Sequence, residues 1–140
     1  MNSSVNILQV EDSPEDRMMT AEALGETLSS VDLRSVATTD GAIAVICAKG
    51  EWRPNVVLLD LSLPGETGFA MLRFLKSQPD LQSIPVIIFS SSKAQADIDK
   101  AYRLGANCYV PKPPDFQGYL AVMAMLIQFG ITYVELPFPC

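Results

Sequence analysis

Residues 5–16 read Val5-Asn6-Ile7-Leu8-Gln9-Val10-Glu11-Asp12-Ser13-Pro14-Glu15-Asp16. Val5 to Val10 is a short apolar run of the kind that forms a buried strand, and the acidic pair Glu11-Asp12 ends it. Ser13 is a good N-cap, Pro14 suits the first helical position, and Glu15 and Asp16 favour the positive end of a helix dipole. A helix then runs through Met18, Ala21, Leu24 and Leu28, which recur at helical spacing. The unit is therefore strand, acidic loop, helix.

The same alternation continues outward. Asp32 to Val36 reads as a second strand, followed by a helix from about Asp40 with Ile43, Ile46 and Cys47 on one face. Val56 to Asp60 is the most apolar strand candidate, suited to a central position covered on both faces. Gly68 to Ser77 is a helix buried through Phe69, Leu72 and Leu75, and Pro85 to Phe89 is a fourth strand. Ala94 to Leu104 is a helix with Gly105 as its C-terminal cap, Cys108 to Pro111 a fifth strand, and Asp115 to Gln128 a fifth helix. Alternating strands and helices of this length predict an α/β fold: a doubly wound, five-stranded parallel sheet with helices on both faces. Residues 1–129 form one domain. Residues 130–140, with Ile131-Thr132-Tyr133-Val134-Glu135-Leu136, read as an added strand or an extended tail, too short for an output domain.

Composition narrows the function. The chain has 140 residues, of which 49% are hydrophobic and 19% charged, as in a globule with a large core. A domain of that size buries roughly two-thirds of its unfolded surface and needs no disulfide or structural metal. The net charge of −6, with no Lys/Arg cluster to offset it, opposes nucleic-acid binding. No apolar stretch approaches the roughly 18 to 20 residues of a membrane span, and Met1-Asn2-Ser3-Ser4 lacks the features of a signal peptide, so a cytoplasmic location is expected. Cys47, Cys108 and Cys140 match neither a zinc site nor a redox pair; the first two read as small buried hydrophobes. The absence of histidine removes Ser-His and Cys-His nucleophile pairs and most zinc centres.

Polar residues stand at the ends of strands that do not themselves require them: Glu11-Asp12 after the first, Asp60 after the third, Ser90 after the fourth and Lys112 after the fifth. In doubly wound sheets these ends share one edge, where ligands collect. Clustered carboxylates repel one another, and a hard divalent cation such as Mg²⁺ relieves the repulsion. A carboxylate nucleophile beside Mg²⁺ and a lysine is the equipment for accepting a phosphoryl group as an acyl phosphate.

With these residues the chain resembles the receiver domains of two-component response regulators. The resemblance runs from about Val5 to Gln128 and rests on Val10-Glu11-Asp12, on Leu59-Asp60-Leu61-Ser62-Leu63-Pro64 with Gly68, on Pro85-Val86-Ile87-Ile88-Phe89-Ser90, and on Tyr109-Val110-Pro111-Lys112-Pro113. It implies a flavodoxin-like strand order 2-1-3-4-5. It implies that Asp60 takes the phosphoryl group from a histidine kinase, so that the missing histidine is supplied in trans. It further implies that Asp12, Asp60 and the Ser62 carbonyl ligate Mg²⁺, with Glu11 acting through a metal-bound water. Lys112 would neutralise the phosphoryl charge, Ser90 would move to bond it, and Tyr109 would swing from exposed to buried. The Lys112–Pro113 peptide would be cis. Ser62 and Ser92, at positions that tune water's access to the phosphoaspartate, are small and uncharged. Such a protein is a phospho-acceptor that assists its own phosphoryl transfer, not an enzyme in the ordinary sense.

The Val10–Asp16 run, the Leu104–Tyr109 stretch and the Phe129–Pro137 tail are similar to stand-alone regulators paired with bacterial phytochrome kinases. That subgroup implies a phytochrome partner, a homodimer that uses the tail, and a downstream protein or phosphorelay partner. Pro114, a second proline after Lys112-Pro113, departs from the pattern and leaves the start of the last helix open. Two other classes compete. An aspartate-nucleophile phosphatase needs a second Asp where this chain has Ser62, and a flavin carrier needs a phosphate loop absent after the first strand. A degenerate receiver acting as a docking module would not need Asp12, Asp60, Ser90 and Lys112 together.

Overall fold

Gln9 and Thr20, two polar residues, face each other inside the protein: Gln9 Nε2 donates to Thr20 Oγ1 at 2.9 Å, and Gln9 Oε1 accepts from Ser35 Oγ at 2.9 Å. This pair sets how the first helix lies on the sheet. The computed structural model describes residues 5–27, 30–48, 50 and 52–128. Its elements are β1 (Val5–Val10), α1 (Pro14–Gly25), β2 (Val31–Val36), α2 (Thr39–Cys47), β3 (Val56–Leu59), α3 (Thr67–Ser77), β4 (Val86–Ser90), α4 (Gln95–Arg103), β5 (Cys108–Pro111) and α5 (Phe116–Ile127), with a 3₁₀ turn at Pro64–Glu66. The five strands are parallel in the order β2-β1-β3-β4-β5. The α/β doubly wound architecture is as the sequence predicts. Residues 130–140, read from the sequence as an added strand or extended tail, lie outside the described residues.

Local chemistry starts the helices where it should. Ser13 caps α1 by accepting from Asp16 N–H, with Pro14 in the first turn; Thr38 caps α2 through Gly41 N–H. Asp115 caps α5, accepting from Gly118 N–H at 2.9 Å, so Pro114 does not prevent a regular start. Gly105, at φ 106°, follows α4 in the left-handed region that glycine tolerates.

Alternate strand residues feed two cores. Leu8, Val10, Val57, Leu59, Val86 and Ile88 pack with α2, α3 and α4, while Val5, Ile7, Leu58 and Phe89 pack with α1 and α5. On the second face Phe89 and Tyr119 meet edge to face, with ring centroids 5.3 Å apart.

Three expectations are corrected. Met18 is 61% exposed and Ala21 is exposed, while Thr20, Ala23 and Leu24 are buried, because Thr20 turns inward to satisfy Gln9; Leu28 lies outside the described residues. Cys47 is exposed and Cys108 half-buried. Ile46 holds the buried position at the end of α2, and one residue on, the helix turns about 100° away from the sheet. The Lys112–Pro113 peptide is trans, with no cis bond among the described residues. Trans is the default for an X–Pro bond by about 0.5–1 kcal/mol.

Candidate phosphoryl-acceptor site

The hydrogen-bond ladder of the sheet delivers the site. Glu11 N–H donates to Val36 O at 2.9 Å, Asp60 N–H to Val10 O at 3.1 Å, and Lys112 N–H to Ser90 O at 2.8 Å. Each of these residues is the first beyond its own strand, held by the last carbonyls of its neighbour. Behind Asp60, α3 comes so close that a Cβ on Gly68 would stand 2.7 Å from Leu61 Cα.

Lys112 Nζ sits at the centre, 2.6 Å from Glu11 Oε1, 2.7 Å from Asp16 Oδ2 and 2.9 Å from Asp60 Oδ2. Glu11 and Asp60 are buried, at 2% and 3% exposure, whereas Asp12 is exposed. Asp60 Oδ1 accepts from Ser62 N–H at 2.9 Å, and Glu11 Oε2 accepts from Ser13 N–H at 3.3 Å. Ser90, fully buried, lies 3.3 Å from Ser62 through their hydroxyls and accepts from Ser92 N–H at 3.4 Å. Tyr109 is turned inward, 9% exposed, and donates its hydroxyl to Ser92 O at 2.8 Å. Ser92 Oγ donates in turn to Asp97 on α4 at 2.6 Å.

The carboxylates are driven apart in acidity. Burial first, then the neighbouring Asp60, pushes the Glu11 carboxyl up to about 7, against the pull of Lys112. Burial also acts to raise Asp60, but the Ser62 N–H bond, Glu11 and Lys112 outweigh it and hold Asp60 below its ordinary value. Burial disfavours the charge on Lys112, yet the bonds to Asp16, Glu11 and Asp60 raise its pKa. At neutral pH Asp60 is thus ionised, while Glu11 sits near the midpoint of its titration.

Carboxylate oxygens of Glu11, Asp12 and Asp60 all lie within 4.8 Å of one another. An all-oxygen, acidic donor set of this size fits a hard divalent cation, and Mg²⁺ is the cofactor it suits. Every residue singled out in the sequence at this edge is therefore brought together. Asp16 was missed. Read as a helix-dipole residue, it also reaches Lys112, and its place four residues after Asp12 on the first turn of α1 was the available signal.

The response regulator receiver domain family matches residues 7–123. The chain belongs to that family. Among its relatives is the response regulator Rcp1 of Synechocystis sp., 34% identical over 94% of this chain and 92% of Rcp1. The solved structure of a phosphorylated cyanobacterial phytochrome response regulator, RcpA, superimposes with a TM-score of 0.89 at 31% identity, covering 97% of this chain and all of RcpA. The Mn²⁺-bound form of Rcp1 gives 0.85 at 31% identity, covering 96% of this chain and 99% of that one. This receiver is thus related to phytochrome response regulators along nearly its whole length. No described helix is long and apolar enough to cross a membrane.

Proposed function

We propose that this receiver accepts a phosphoryl group from a histidine kinase onto Asp60, in a Mg²⁺-dependent reaction, and signals through protein contacts that change on phosphorylation. The observation that carries the reading is the Lys112 ammonium bridging buried Glu11 and Asp60 beside the exposed Asp12. Asp60, ionised and held by Ser62 N–H, is the nucleophile. Asp12, Asp60 and the Ser62 carbonyl hold the cation, with Glu11 in support; the ion supplies charge neutralisation for the transferring group. Lys112 neutralises a phosphoryl oxygen and Ser90 donates its hydroxyl to another. Tyr109, through Ser92 O, links that hydroxyl to the start of α4, so the face made by α4, β5 and α5 carries the signal. Residues 1–129 make up the receiver and 130–140 an extension.

The kinase is a phytochrome in this reading, supported by the length over which the chain matches Rcp1 and RcpA. A homodimer, a downstream protein or a phosphorelay partner receives the signal, and the protein works in the cytoplasm. The test is beryllofluoride binding with Mg²⁺, followed by mass and sedimentation, on wild type and Asp60→Asn. Mg²⁺-dependent binding lost in the variant is expected. No binding by a folded wild type would leave a phosphorylation-independent docking module instead.

A further inference from the structure

The Lys112 ammonium is already crowded by three carboxylates. An ammonium has three N–H donors; here it donates to Asp16 and Asp60 at 2.7 and 2.9 Å and is ion-paired with Glu11 at 2.6 Å. A phosphoryl oxygen on Asp60 enters this crowd and competes for the ammonium with the carboxylates already there. The three are not equivalent. Glu11 and Asp60 are buried members of the metal cluster: Asp60 gives up its own carboxylate charge when it becomes the acyl phosphate, and Glu11 stays beside the cation. Asp16 belongs to the first turn of α1, lies outside that cluster, and has a side chain 28% exposed. Water can solvate it once it is released.

We propose that Asp16 is a displaceable anion: it holds Lys112 in the resting protein and is exchanged for a phosphoryl oxygen when Asp60 is phosphorylated. The proposal rests on the reading of Asp60 as acceptor. Asp16 is a positioning residue, acting through Lys112 and not on the phosphoryl group itself. It keeps the lysine extended over the site and, in doing so, competes with the incoming group.

The test is calorimetric titration of beryllofluoride, as the phosphoryl mimic, in Mg²⁺ on wild type, Asp16→Asn, Asp16→Ser, Glu15→Gln and Asp60→Asn. Both Asp16 variants should bind about twofold to fivefold more tightly than wild type, the range set by a partly exposed ion pair. Glu15, exposed on the same turn and outside the Lys112 cluster, controls for the lost charge and should leave affinity unchanged. Titration of Mg²⁺ alone should shift equally in Asp16→Asn and Glu15→Gln. Wild-type affinity in both Asp16 variants, or the same gain in Glu15→Gln, would overturn the displacement while leaving the acceptor assignment intact. No Asp60-dependent binding in wild type would remove the acceptor reading and the displacement with it.

Discussion

Lys112→Met removes the charge at the centre of the site and keeps a stem of similar length. In the wild type the ammonium lies within 2.9 Å of three carboxylates, and its side chain is 9% exposed. Removing one partner of a buried ion pair costs about 3–5 kcal/mol when the orphaned charge cannot adapt. Here it can, by taking up a proton. Glu11 already titrates near 7 and rises further without Lys112, while Asp60 loses one of the contacts that hold it down. A carboxylate whose folded pKa exceeds its unfolded one makes the folded state bind more protons, so stability falls as pH rises through that window. Each extra proton changes stability by about 1.4 kcal/mol per pH unit. The loss relative to wild type should therefore be about 1 kcal/mol near pH 5.5 and about 3 kcal/mol or more near pH 8 without metal. Millimolar Mg²⁺ at the higher pH should restore much of it by binding the folded state alone. Urea unfolding followed by the fluorescence of the single tryptophan, Trp52, packed under Arg34 and bonded to Asp32, reads this directly. A loss that is the same at both pH values and indifferent to Mg²⁺ would refute the account of the cluster.

The Glu11 carboxyl near 7 also sets how Mg²⁺ binds: affinity should rise with pH by up to about tenfold per unit below 7 and then level off, with proton release seen as buffer-dependent heats. An affinity flat from about pH 5.5 to 8 would contradict the protonated Glu11. Gly68→Ala should cost about 1–3 kcal/mol and weaken beryllofluoride binding, because the new methyl meets the backbone of Asp60 and Leu61. Gly25→Ala, in open space at the end of α1, should be neutral or stabilising by up to about 1 kcal/mol in the same melting assay.

Much of this was legible because strand ends and helix starts carry strong local signals. Ser13-Pro14, Thr38 and Asp115 each start a helix through a side-chain bond that does not depend on the rest of the protein. Asp12, Asp60, Ser90 and Lys112 were visible because apolar strands end abruptly in polar residues. What escaped depends on packing between distant segments. The helical spacing of α1 found the inward Leu24 but not Thr20, whose partner Gln9 lies on another element and looks like an exposed strand residue in isolation. Asp16 looked sufficient as a dipole residue until α1 was docked with its first turn over Lys112. Cys47 follows the same lesson, since an apolar neighbourhood in sequence is not a buried one on the last turn of a helix.

The ladder bonds that hold Glu11, Asp60 and Lys112 carry a consequence for how the protein comes into being. A one-residue slip of any strand would turn its outgoing side chain to the opposite face of the sheet. The apolar residues that set the register thus also aim the chemistry. No fragment lacking β3, β4 or β5 can hold the full set, because its members come from sequence positions 11, 60, 90 and 112. A nascent or partly opened chain therefore lacks the assembled site. Assembly of the site and completion of the fold arrive together, and a check on the site's integrity is built into the same hydrogen bonds that close the sheet.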